Sequence, residues 1–93
     1  MLILDQVLRP HPEVVATTLE TGEVILLHLD SQTYYSLNLT GAHIWESLTQ
    51  GLTMREISQR LQAAFEVTPD RADRSVLALV EDLLQQRLVK CSG

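Results

Sequence analysis

Between residues 13 and 40 the apolar positions come in short, dense runs; beyond residue 40 they recur every three or four positions. The first rhythm suits strands, whose side chains alternate between two faces, and the second suits helices, which return to one face every 3.6 residues. Glu13 to Glu20 and Glu23 to Asp30 read as two strands joined by Thr21-Gly22, with Gly22 supplying the positive φ of a tight hairpin. On the second strand Ile25, Leu27 and Leu29 share one face, and Val24, Leu26, His28 and Asp30 share the other. The first set, wholly apolar, is the expected core face, which leaves His28 outside. Asp30-Ser31-Gln32 is turn chemistry. Thr33 to Leu37, rich in β-formers, is a third strand with Leu37 turned inward. Three consecutive strands with short turns make an antiparallel meander. Ahead of them, Met1 to Leu8 fits a short edge strand or an arm, and Arg9-Pro10-His11-Pro12 is extended because each proline restricts the residue before it.

Three helices follow. The first spans about Thr40 to Gln50, with Asn38 and Thr40 as candidate caps and Gly51 as its stop. The second begins at Thr53, where Thr53-Met54-Arg55-Glu56 spells a capping box, and buries Ile57, Leu61, Ala64 and Phe65. The third is announced by Thr68-Pro69-Asp70 and extends to about Arg87. Its apolar arc is wide. Ala72, Val76, Leu79 and Leu83 define one direction, Val80 lies to one side, and Leu77, Leu84 and Leu88 continue the same way. Such an arc serves either a helix packed centrally or one that leaves a groove for a partner near Leu77, Val80 and Leu84. The fold class expected is α+β and winged-helix-like: a three-stranded antiparallel sheet followed by a three-helix bundle. Residues 1–12 would be a lead-in arm, 13–90 one domain and 91–93 a tail.

Composition narrows the function. Ninety-three residues make one domain with a modest core. No apolar run approaches the ~20 residues of a membrane span, and the N-terminus lacks the basic region of a signal peptide, so the expected location is the cytoplasm. The net charge of −5 is uneven. Residues 1–50 carry Arg9 against Asp5, Glu13, Glu20, Glu23, Asp30 and Glu46, whereas the rest is balanced. An acidic sheet disfavours nucleic acid, whose nonspecific binding rests on clustered Lys and Arg. Catalysis needs converging polar groups, and none converge in the sequence. His11, His28 and His43 lack ligand spacing, Cys91 stands alone, and there is no phosphate loop or Gly-x-Ser-x-Gly. No enzyme activity, cofactor or metal is expected. Trp45 reads as a core anchor.

The residues around the strand-to-helix junction carry a resemblance. A turn, the aromatic strand Thr33-Tyr34-Tyr35-Ser36-Leu37, then Asn38-Leu39-Thr40-Gly41-Ala42-His43-Ile44-Trp45, look like the middle of the PqqD-like family. Glu23-Val24-Ile25-Leu26-Leu27 upstream and Leu83-Leu84-Gln85-Gln86-Arg87-Leu88-Val89 downstream fit the same family, so the likeness covers roughly residues 12 to 90. Family members bind the leader of a ribosomally made precursor peptide. The resemblance implies that a leader pairs with the third strand and lies against the third helix. Carried over by position, main-chain contacts fall on Thr33, Tyr34, Tyr35, Ser36 and Leu37, and side-chain contacts around Asp73, Arg74, Leu77, Val80 and Leu84. Within the family the chain is most similar to the small recognition proteins of lasso-peptide pathways, which implies a non-catalytic adaptor presenting the leader to a separate leader peptidase. The alternative within the family is a peptide chaperone of pyrroloquinoline quinone biosynthesis. Outside it stand a winged-helix DNA-binding regulator, with Arg71 and Arg74 or Arg55 and Arg60 as its basic residues, and an assembly domain that pairs through a strand edge.

Overall fold

In the computed structural model, residues 6–91 are described. Five strands and three helices follow one another as β1 (Leu8–Pro10), β2 (Val14–Thr18), β3 (Val24–His28), β4 (Thr33–Leu37), α1 (Leu39–Thr49), α2 (Met54–Phe65), α3 (Pro69–Gln85) and β5 (Val89–Cys91). The antiparallel meander is present, in the order β2-β3-β4, and the three helices follow it. A second strand pair adds to that plan. β1 runs antiparallel to β5 with Leu8 opposite Cys91, so the segment read as a lead-in and the start of the supposed tail are hydrogen-bonded to each other. Leu8 is fully buried. Positions 1–5, 92 and 93 of the arm and tail lie outside the described residues.

The helix boundaries follow local side-chain chemistry. The Asn38 side chain accepts the Gly41 N–H at 2.8 Å, so α1 starts at Leu39 rather than Thr40. Thr53 and Glu56 form the reciprocal capping box, at 3.1 and 2.9 Å. Thr68 caps α3, with Pro69 in its first turn. At its other end α3 closes two residues earlier than expected, in a Schellman motif. Leu88 N–H donates to the Leu83 carbonyl at 2.9 Å and Arg87 N–H to the Leu84 carbonyl at 3.1 Å. The C′ residue is Arg87 at φ 59°, a left-handed position that usually takes glycine.

The core fills the space between the sheet and the helices. Val24, Leu26 and Leu37 supply the sheet side; Ile44, Trp45 and Leu48 come from α1; Ile57 and Leu61 from α2; Ala72, Val76, Val80 and Leu83 from α3. Trp45 is an anchor of that core, as expected. The parity of β3 is the reverse of the sequence expectation. Val24, Leu26 and His28 point inward, Ile25 and Leu27 are half-buried on the outer face, and Leu29 is 50% exposed. Register explains the inversion. Leu37 pairs with Val24 and Tyr35 with Leu26, and directly paired residues share a face. His28 is therefore 3% exposed, not outside. It is accommodated because the His11 ring packs against it at 4.6 Å between centroids and its Nδ1 accepts the Ser31 N–H at 3.4 Å.

Candidate peptide-binding site

β4 is an edge of its sheet, and the ladder shows which of its main-chain groups remain available. Leu29 N–H donates to the Glu13 carbonyl and Leu19 N–H to the Glu23 carbonyl, both at 2.8 Å. Odd-numbered positions around β3 thus bond to the β2 side. Bonded and non-bonded pairs alternate in an antiparallel ladder, so Val24, Leu26 and His28 turn their main-chain groups toward β4, where they face Leu37, Tyr35 and Thr33. The N–H and C=O groups of Tyr34 and Ser36 are left pointing away from the sheet. The Tyr34 side chain is 74% exposed on the outer face. Thr33, Tyr35 and Leu37 turn theirs toward the helices. Neither lysine nor proline, the usual blocks on such an edge, occurs in β4.

Two observations fix which flank of α3 lies beside β4. The Tyr35 hydroxyl donates to the Asp82 carboxylate. One turn on, Gln85 and Gln86 share a cleft of about 320 Å³ with His28, Ser31 and Thr33. Burial, the hydrogen bond to Asp82 and the charge of Asp82 together push the Tyr35 phenol up to about 12. With about 100° between successive residues, Asp82 and Gln86 share their flank with Ser75 and Leu79, and Ala78 sits at its outer margin. Ser75 and Leu79 are half-buried and Ala78 is exposed.

The helix residues expected from the sequence fall elsewhere. Val80 is fully buried in the core and has no surface to offer a peptide. Asp73, about half a turn round from Asp82, accepts the Ser58 hydroxyl of α2. Leu77 and Leu84 are half-buried on the same flank as Asp73, the one turned toward α2. Arg74 is exposed, between that flank and the β4 side. Tyr35 is brought together with Asp82 and Thr33 with Gln85 and Gln86, none of which sequence reasoning assigned to the site, and helical spacing puts Ser75, Ala78 and Leu79 on the same flank as Asp82. The wide apolar arc identified α3 but not its direction, which the Tyr35–Asp82 bond and the cleft shared by Gln85 and Gln86 with Thr33 supply.

Among the described residues no group of three or more His, Cys, Asp or Glu side chains is placed to hold a metal ion. His11 and His28 touch, but each spends Nδ1 on a backbone N–H, of Glu13 at 3.0 Å and of Ser31 at 3.4 Å. Cys91 is exposed and free. The arrangement is an extended edge with unspent donors and acceptors beside a partly apolar helix flank. That combination takes an extended peptide with alternate side chains directed into the groove.

The chain belongs to the family described as Coenzyme PQQ synthesis protein D (PqqD), which matches residues 23–89. Among solved structures it is similar to TbiB1 in complex with the TbiA(beta) leader peptide, with a TM-score of 0.84 and 27% identity over 91% of this chain and 98% of that one. It is also similar to a lasso peptide synthetase B1 complexed with the leader peptide, with a TM-score of 0.81 and 30% identity over 89% of this chain and 96% of that one. No curated protein sequence matches it.

Proposed function

We propose that this protein is a non-catalytic adaptor that binds the leader segment of a ribosomally synthesised precursor peptide. The leader adds as a strand to β4, and the adaptor presents it to a separate processing enzyme, the leader peptidase of a lasso-peptide pathway. The observation that carries this reading is the unspent edge of Tyr34 and Ser36 alongside the Ser75–Asp82 flank of α3. Leader residues opposite Tyr35 and Leu37 put their side chains against α3, so selectivity resides in leader residues two apart. Main-chain bonds hold any extended peptide and net only about 1 kcal/mol each against water; groove burial must supply the discrimination. The two solved relatives, each complexed with a leader peptide, support the same use of the fold. The family description favours a second reading, an escort role in pyrroloquinoline quinone synthesis, with the same edge serving a different precursor.

The test is direct. A fluorescently labelled synthetic leader of a lasso-peptide precursor is titrated with the protein and followed by anisotropy. Binding in the micromolar range or tighter, with the precursor's mass unchanged on incubation with the protein alone, is the expected result. Cleavage or modification by the pure protein would refute the adaptor reading.

A further inference from the structure

Among the described residues the sheet has a second unpaired edge. On β2 the main-chain groups of Val15 and Thr17 face Ile25 and Leu27 of β3, so by the same alternation Ala16 and Thr18 direct their N–H and C=O groups outward. Beneath this edge lies a cleft of about 580 Å³ between the sheet and α1, floored by Ala16, Val24, Ala42 and Trp45. Its rim is apolar and open: Leu39 is 53% exposed and Phe65 37%. The small side chain of Ala16 leaves the space unfilled. Thus β2 over α1 repeats the arrangement of β4 over α3 on the opposite edge of the sheet.

Charge distinguishes the two. Glu13 and Glu20 stand at the ends of β2, Glu23 closes the hairpin and Glu46 lines the cleft. No lysine or arginine occurs between Arg9 and Arg55, and Arg60 donates to Gln50 at 2.6 Å. A second copy of this chain fits poorly, because pairing β2 with its copy brings together two edges that each carry Glu13, Glu20 and Glu23 with no cation in the same stretch, and such self-repulsion opposes association. We propose that the β2–α1 cleft is a second docking site, which takes an extended, apolar segment flanked by lysine or arginine from the partner protein that receives the presented leader. The proposal rests on the adaptor reading: one edge holds the leader, the other holds the protein that acts on it. Opposite edges let both be engaged at once.

The experiment uses the full chain, labelled with nitrogen-15, and a synthetic peptide of alternating valine and threonine with two lysines at each end. The expected result is selective movement of the Ala16 and Thr18 amide signals, with Tyr34 and Ser36 unmoved, and the same movement when the leader already occupies β4. Ala16→Pro, which removes an outward N–H and its own signal at an edge that tolerates proline, should abolish the shift at Thr18. Glu46→Lys, at an exposed position, should weaken the peptide at least fivefold and keeps the test decisive if the proline variant fails to fold. Shifts confined to β4, equal binding of a glutamate-flanked peptide, or indifference to Glu46→Lys would each overturn the proposal. So would a concentration-dependent dimer in sedimentation that Ala16→Pro dissolves, since the occupant would then be a second copy. Leader anisotropy reports separately on β4, so failure there sinks the adaptor reading without touching the β2 result.

Discussion

Replacing Ser36 by proline tests the leader site at the level of single hydrogen bonds. The Ser36 N–H points away from β3, so its loss leaves the sheet's own ladder intact, and the Ser36 side chain is exposed. A leader strand would lose one main-chain bond, about 1 kcal/mol net, and the ring would crowd the bond next to it. The expected penalty is about 1–2 kcal/mol, a factor of roughly 5 to 30 in Kd. Tyr35→Pro is the paired control. Tyr35 faces Leu26 across the ladder, so its N–H is spent on β3, and removing it strands a buried carbonyl at a cost of about 1–3 kcal/mol. That variant also loses the bond to Asp82. Leader anisotropy and thermal melts on both variants separate the effects: Ser36→Pro should melt near the parent and bind weakly, whereas Tyr35→Pro should lose stability. If Ser36→Pro binds the leader as tightly as the parent, the leader does not add to β4. If it unfolds as Tyr35→Pro does, the hydrogen-bond parity assigned to β4 is reversed.

Other outcomes follow from the packing. Leu37, 2% exposed, should cost about 2–5 kcal/mol when truncated to alanine, read by urea denaturation. Tyr35 ionises at about 12 in the folded chain against 10 for a free phenol; the unfolded chain gives up this proton first, so the stability contributed is complete below pH 10 and declines between pH 10 and about 12. Tyr35→Phe should flatten that part of the stability profile in melts taken across the range. Arg87→Gly relieves a left-handed residue at the end of α3 and should raise stability by about 0.5–1 kcal/mol, measured by denaturant midpoint.

How far the chain could be read in advance depended on whether a signal was local. Caps and turns are local, and Thr53 with Glu56, Thr68 with Pro69, and Asn38 all stand where their chemistry places them. Strand parity is not local. Both faces of β3 carry apolar residues, because Ile25 and Leu27 are only half-covered outside, and the deciding information is which residues of β4 pair with it. His28 misled because burial of an imidazole depends on His11, seventeen positions away, to cover it. The direction of the α3 groove depends on a contact between Tyr35 and Asp82, forty-seven positions apart. Periodicity places an arc on a helix; it cannot say which neighbour stands on which side of it.

The pairing of Leu8 with Cys91 makes nearly the whole described chain one closed loop. The entropy of closing a loop grows only logarithmically with its length, so this long closure costs little more than one half as long. It is costly in time instead, because a contact so distant in sequence rewards the chain only after most of the ordering has been completed. In folding, the β1–β5 pair is therefore a latch fastened after the meander and helices have formed. A latch that contributes little to the transition state acts mainly on the rate of unfolding. Weakening it, for instance at the fully buried Leu8, would leave the folding rate nearly unchanged and shorten the lifetime of the folded protein.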